Sequence, residues 1–283
     1  MANHALDLNP PNAHLHISTH GSDWLWAAFA FILFSCLATV GLNFFRPRGT
    51  RLFHQIAIIV LATSSLAYFS MASDLGSTPI RTEFRADGET RQIWYVRYIQ
   101  WFITFPLLVL SVLLATGLSL SDILTTLFMS IVVVICGLVG ALVASTYKWG
   151  YYVFGCAALF YVWYVLLVQG TRTTFAADGA FRKGYLMSAG FLSFMLFTYP
   201  ICWALAEGSN VITPTSEMIW YGILDCITGP VFVLFFLWQL RSVDYSSFGL
   251  HSGKYTDKGV NGRSVKAAEA GAATAPAVET GAV

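Results

Sequence analysis

Seven apolar runs, separated by short polar segments, divide the chain. They cover Trp24–Phe45, Phe53–Ser73, Ile93–Thr116, Ser121–Ala144, Trp149–Gln169, Tyr185–Ala206 and Glu217–Leu240. A helix of about 20 residues rises about 30 Å, the thickness of a bilayer's hydrocarbon core, so each run predicts a membrane-crossing helix. The expected fold is an all-α bundle of seven transmembrane helices spanning residues 23–241, preceded by a polar tail, residues 1–22. A second tail covers 242–283. From Lys254 it is mostly Gly, Ala, Thr and Glu with almost no large apolar residue, a composition expected to be disordered.

The polar segments set an orientation. The first loop is short and basic, with Arg46, Arg48 and Arg51. The fifth loop carries Arg172, Arg182 and Lys183 with Asp178, and the seventh run ends at Arg241. Basic loops stay on the cytoplasmic side, which places the N-terminus outside and the C-terminus in the cytoplasm. The segment after the second run mixes Arg81, Glu83, Arg85, Asp87, Glu89 and Arg91, so it is nearly neutral. Its Asp87-Gly88 pair predicts a small extracellular hairpin.

Composition agrees with a membrane chain. Only 11% of the 283 residues are charged, against roughly 25% in soluble domains, and 56% are hydrophobic. The net charge of +1 names no partner, and no basic run points to nucleic acid. The five cysteines, Cys36, Cys136, Cys156, Cys202 and Cys226, all fall in apolar runs, and they read as buried thiols. His14, His16 and His20 lack a carboxylate or cysteine companion, so the N-terminal segment reads as a mobile polar tail with no metal. It has no apolar stretch suited to a cleavable signal. Gly137 and Gly140 form a small-residue patch, open to close packing inside the bundle or to an oligomer contact.

Chemistry concentrates in the third, sixth and seventh runs. The third reads Arg97-Tyr-Ile-Gln100-Trp101-Phe-Ile-Thr104-Phe-Pro106-Leu-Leu. The sixth supplies Tyr199-Pro200 and Trp203, the second Tyr68, and the seventh Asp225 with Gly229-Pro230 one turn on. Taken with Tyr147-Lys-Trp149-Gly-Tyr-Tyr, this pattern resembles the microbial (type I) rhodopsins from about residue 24 to 241. Within them it resembles the fungal opsin-related, heat-shock-type branch that lacks the retinal lysine.

The resemblance implies a retinal pocket formed by Tyr68, Trp101, Tyr199, Trp203, Asp225 and Gly229, and it implies that the pocket is vestigial. In the light-driven proton pumps, the position of Gly229 is the lysine that bonds retinal. The chain's five lysines, Lys148, Lys183, Lys254, Lys258 and Lys266, flank apolar runs or lie in the tail. The pumps' proton acceptor corresponds to Gln100, their cytoplasmic donor to Ser111, a pocket tryptophan to Leu196 and a threonine to Phe105. No covalent cofactor is expected, and a non-covalent retinal or other apolar ligand stays open.

Two charges remain at depth. Arg97 and Asp225 each cost about 2.5–3.5 kcal/mol at a bilayer centre, so they are expected to contact one another directly or through one water, with Tyr68 and Gln100 as partners. This ion pair reads either as a brace between helices or as a residual ligand or ion site. Glu207 and Glu217 resemble a proton-release pair, although solvated carboxylates at helix ends are the simpler expectation. No catalytic residue is assigned, and no enzymatic activity is expected. The functional expectation is a non-photoactive plasma-membrane protein with a stress-associated or regulatory role, the alternative being a sensor or receptor for an apolar ligand. Its partners would be the lipid bilayer and either a homo-oligomer or another membrane protein.

Overall fold

The computed structural model describes residues 3–47, 50–84, 88–173, 179–243 and Phe248. Among the described residues, seven helices are long and apolar enough to cross a membrane: α1 Thr19–Phe45, α2 Leu52–Ala72, α3 Tyr95–Leu113, α4 Leu120–Leu142, α5 Lys148–Thr173, α6 Arg182–Gly208 and α7 Pro214–Gln239. Each coincides with one of the seven predicted runs, with ends shifted by a few residues. The shifts at three N-termini have a local cause in capping. Ser18 Oγ accepts from Gly21 N, Ser119 Oγ from Asp122 N, and Thr213 Oγ1 from Ser216 N. These polar caps lie outside the apolar runs and start the helices earlier than hydropathy does. Pro214 follows its cap at the first helical turn, where no N–H is needed.

Three helices contain π-helical turns: Val165–Gln169 in α5, Ala204–Gly208 in α6 and Ile227–Val231 in α7. The last one encloses Pro230. A proline inside a helix removes one N–H and pushes on the preceding turn, and a widened turn relieves both.

The predicted hairpin is present. β1 (Thr78–Arg81) pairs antiparallel with β2 (Thr90–Ile93), Thr78 opposite Ile93. Residues 85–87 of its turn lie outside the described residues, while Gly88 has φ +90°, a left-handed value that favours glycine. The hairpin covers the bundle end at which α1, α3, α5 and α7 begin.

The N-terminal segment differs from expectation. Rather than forming a mobile tail, residues 3–17 are tied down, residues 14–17 to the hairpin and Asn3 and Asn9 to the ends of α1 and α2. Leu15 N donates to Thr90 O at 2.9 Å and Gln92 N donates to Leu15 O at 2.9 Å. Ile17 is fully buried, and its N–H reaches Gln92 Oε1 at 3.0 Å. Asn3 and Asn9 donate to Ser22 Oγ and Ser73 O. Polar composition hid this because the pairing at Leu15 runs through the backbone and the side-chain ties reach partners far away in sequence. The histidines do not converge: His14 sits against Thr90 and His16 against the carbonyl of Ile17. Among the described residues, no group of three or more His, Cys, Asp or Glu residues is placed to hold a metal ion.

All five cysteines are free thiols, buried or half-buried. The Gly137/Gly140 patch serves packing inside the bundle. A Cβ at Gly140 would meet the Trp203 ring at 3.0 Å, one at Gly137 would meet Tyr98 at 3.2 Å, and Trp203 Nε1 donates to Gly137 O at 3.1 Å. The C-terminal tail lies outside the described residues, apart from the segment to Val243 and Phe248, whose buried ring stands edge-on to Phe53.

Asp74, just past α2, adopts φ +58° and is buried. Gln92 Nε2 donates to its Oδ1 at 2.6 Å and to Ser77 Oγ at 3.0 Å. Burial pushes the Asp74 carboxyl above the ordinary aspartate range, opposed by the hydrogen bond from Gln92. A raised folded-state pKa means that the folded protein holds the proton more tightly than the unfolded chain, so this group's contribution to stability falls as pH rises through the folded value. Asp74→Asn tolerates the same backbone conformation and removes the titration. The melting temperature of the wild type relative to Asp74→Asn is therefore expected to drop as pH rises from the ordinary aspartate range towards neutrality. A pH-independent difference between the two would overturn this assignment.

Candidate functional site

Asp225 is the centre of the buried polar site. Its carboxylate accepts three hydrogen bonds from three other helices: Tyr68 OH of α2 at 2.7 Å, Trp101 Nε1 of α3 at 3.2 Å and Tyr199 OH of α6 at 2.7 Å. Tyr199 OH also lies 2.9 Å from Thr228 Oγ1, which is anchored on Leu224 O. The helix repeat brings these groups together. On α7, Tyr221, Asp225 and Gly229 are spaced by four residues and share a face, and on α3 Arg97 and Trp101 do the same.

That register also decides the fate of the expected ion pair. Trp101 meets Asp225, so Arg97, one turn earlier, meets Tyr221. The guanidinium carbon lies 3.2 Å from the centroid of the Tyr221 ring. Arg97 and Asp225 form no direct ion pair; the ion pairs of the described residues are His4–Asp7, Arg91–Glu217 and Lys148–Glu83. The direct contact is thus corrected: neutral donors fill the carboxylate, and the arginine stacks on an aromatic face. Tyr68 is a hydrogen-bond partner as expected. Gln100 is not, because its Nε2 donates instead to Ser64 Oγ at 3.3 Å.

Glu207 and Glu217 are likewise corrected. Both are buried, not solvated. Glu207 accepts from Tyr98 OH at 2.6 Å and Tyr221 OH at 3.1 Å. Glu217 pairs with Arg91 Nη2 at 2.5 Å, both side chains 1% exposed, and Arg91 Nη1 donates to Ile212 O at 2.6 Å. Lys148, read as a flanking residue, is buried beneath the hairpin. Its Nζ donates to Gly208 O at 3.2 Å and pairs with Glu83 at 3.3 Å, and Thr146 bonds the same Glu83. Helix-end position suggested water for these groups, but the hairpin and the N-terminal segment cover that end. Arg91 was not singled out because it lies in a segment of mixed charge, and Lys148 because it stands at the edge of an apolar run. Tyr98 and Tyr221 carried a usable signal: each is next to, or one turn from, a buried charge.

The remaining space is divided. Beside Gly229 there is about 10 Å³, bordered by Val60, Ser64, Gln100, Thr104 and Asp225. That is roughly the minimum for one water molecule. A Cβ at Gly229 would meet nothing nearer than Leu61 Cδ2 at 3.9 Å. A larger cavity, about 100 Å³, lies on the other side of Trp101. Phe105, Leu196, Tyr199 and Trp203 wall it, and Arg97 sits at its edge. A cavity of about 150 Å³ takes one benzene ring. The full retinal polyene is several times longer than that ring, and the position that would bond it is a glycine. These residues do not fit covalent retinal.

Comparisons with known proteins support the same architecture. Residues 20–243 match the family model described as bacteriorhodopsin-like protein. The chain is 72% identical over 258 residues to Protein FDD123 of Trametes versicolor, covering 91% of each chain. It is 36% identical over 269 residues to the 30 kDa heat shock protein of Saccharomyces cerevisiae, covering 83% of this chain and 77% of that one. Among solved structures it is similar to the light-driven proton pump Coccomyxa subellipsoidea Rhodopsin CsR, with TM-score 0.76, 34% identity, and coverage of 79% of this chain and 98% of that one.

Hydrogen bonds to a charged group contribute about 1.5–3 kcal/mol each. Tyr68→Phe and Tyr199→Phe are each expected to destabilise the protein by about that amount, read as lowered melting temperature in lipid nanodiscs. Glu217→Gln strands Arg91 in a buried site and is expected to cost about 3–5 kcal/mol. If all three variants melt with the wild type, these contacts carry no stability.

Proposed function

The chain belongs to the bacteriorhodopsin-like family of seven-helix integral membrane proteins, and on that premise we propose that it is a non-photoactive member that neither bonds retinal nor pumps protons. Its role is stress-associated or regulatory, in the plasma membrane, with the N-terminus outside. The single observation that carries the reading is Gly229, which faces the bundle interior one turn beyond Asp225, where no amine is available. Gln100 supports it: a carboxamide takes no proton at physiological pH, so the deep acceptor is missing even if an imine were supplied. Ser111 supports it too, donating to Leu108 O where a proton donor would stand. The heat-shock name belongs to a relative and supports the stress assignment for this chain only as an analogy.

A second reading rests on its own observation. The 100 Å³ cavity behind Trp101 provides space for a compact apolar molecule held without a covalent bond, which would make the protein a sensor or receptor.

Purified protein mixed with all-trans-retinal is expected to give no red-shifted pigment, and vesicles carrying it are expected to show no light-driven pH change. A visible band that survives denaturation as a lysine adduct would overturn the proposal. Gly229→Lys alone is expected to give little pigment because only about 10 Å³ is free beside the site. With Phe105→Thr and Leu196→Trp added, a coloured species is expected that still fails to pump while Gln100 stays. The cellular role is checked separately: a fluorescently tagged chain is expected at the plasma membrane, and its deletion is expected to alter survival after heat or membrane stress. An unchanged survival curve would remove the stress role and leave the chemistry intact.

A further inference from the structure

The larger cavity has an uneven chemical lining. Phe105 and Leu196 offer only carbon, and Tyr151, Tyr152 and Cys156 line the α5 side. On the side of Arg97 the ring donors are committed to protein partners: Trp101 Nε1 and Tyr199 OH donate to Asp225, Tyr98 OH and Tyr221 OH to Glu207, and Trp203 Nε1 to Gly137 O. Arg97 differs from them. Its side chain is 95% buried at the cavity edge, and its Nε and Nη1 have no hydrogen-bond partner. Two unsatisfied donors of a charged group are costly in such a place, and each calls for an acceptor.

The charges nearby restrict which acceptor fits. Arg91 is matched by Glu217 and Lys148 by Glu83. Arg97 lies within electrostatic reach of both Glu207 and Asp225. Its positive charge is therefore already answered by carboxylates that do not touch it, and a further anion would be repelled by both. What the guanidinium lacks is lone pairs, not charge. Volume sets the size: if about 150 Å³ takes a six-carbon ring, about 100 Å³ takes on the order of four to six carbons.

We infer that this cavity is a site for a small, uncharged, apolar molecule bearing a carbonyl-type acceptor, whose oxygen receives N–H groups from Arg97 while its carbon skeleton lies among Phe105, Leu196 and Trp203. The inference rests on the second reading above, that an apolar ligand binds without a covalent bond, and it names the class of that ligand. It assigns Arg97 a positioning role that the buried-brace reading lacks.

The test uses the full chain purified from retinal-free medium in nanodiscs, with cyclopentanone, cyclopentane and cyclopentanecarboxylate as probes. Binding is read by saturation-transfer NMR, and hydrogen bonding by the infrared carbonyl band of bound cyclopentanone. The expected result is cyclopentanone binding with a band shifted to lower frequency, cyclopentane at least tenfold weaker, and no binding of the carboxylate at neutral pH. Arg97→Lys keeps the charge but loses the planar fork, and it is expected to weaken cyclopentanone at least tenfold and to remove the band shift. Cys156→Phe fills the cavity from its far wall and leaves Arg97 in place, and it is expected to abolish binding of all probes. Both variants are first checked for folding by thermal melting. Equal binding of cyclopentanone and cyclopentane with an unshifted band would overturn the role of Arg97 and leave the apolar site standing. Tighter binding of the carboxylate would overturn the charge argument. Failure of every probe to bind, or binding unaffected by Cys156→Phe, would overturn both the site and the reading beneath it.

Discussion

One buried carboxylate ties four helices together. Asp225 on α7 receives donors from α2, α3 and α6, so the relative heights of those helices are fixed where lipid and apolar side chains exert little directional force. In a bilayer the hydrophobic effect drives insertion but distinguishes poorly between one apolar helix contact and another. Polar groups supply the register, because each unsatisfied one is expensive. A slip of one turn between α3 and α7 would bring Arg97 to the level of Asp225 and strand Trp101. The observed register pairs Trp101 with Asp225 and Arg97 with Tyr221, and a second carboxylate, Glu207, is served by Tyr98 and Tyr221 just beyond.

This arrangement gives the buried carboxylate of a rhodopsin-type frame partners from within the protein. A protonated imine would be a buried cation beside Asp225, and the carboxylate would be its counterion. Here Tyr68, Trp101 and Tyr199 satisfy the carboxylate with neutral donors, and Arg97 supplies positive charge from one turn away. The carboxylate is thus satisfied within the protein, while Nε and Nη1 of Arg97 keep unused donors.

Much of this was legible in the sequence, and the limits have physical causes. Hydropathy located all seven helices because a bilayer imposes one length on every span. Tyr68, Trp101, Tyr199 and Asp225 converge as the resemblance implied. The direct Arg97–Asp225 contact was not legible correctly. Opposite charges on facing helices suggest a pair, but which turns meet depends on helix register, and one turn separates an ion pair from an arginine lying on a tyrosine. Glu207 and Glu217 were misread for another reason. Their position near helix ends says where they lie along the membrane normal, not whether a hairpin and the N-terminal segment cover them. Part of that cover is held by main-chain hydrogen bonds of Leu15, Thr90 and Gln92, which leave almost no trace in residue type.

The split of the interior follows from the same constraint. Trp101 is held edge-on to both Phe105 and Tyr199, with centroids 5.9 and 4.6 Å away, and its indole nitrogen is fixed on Asp225. It therefore stands as a partition. On the α7 side, Val60 borders and Leu61 approaches Gly229, and only about 10 Å³ is free there. On the other side, Phe105 and Leu196 leave about 100 Å³ between them and the α5 residues. The interior thus keeps its opening away from Gly229 and next to Arg97, a buried cation with two donors unused. A ligand entering that space would meet the arginine and not the helix-seven position.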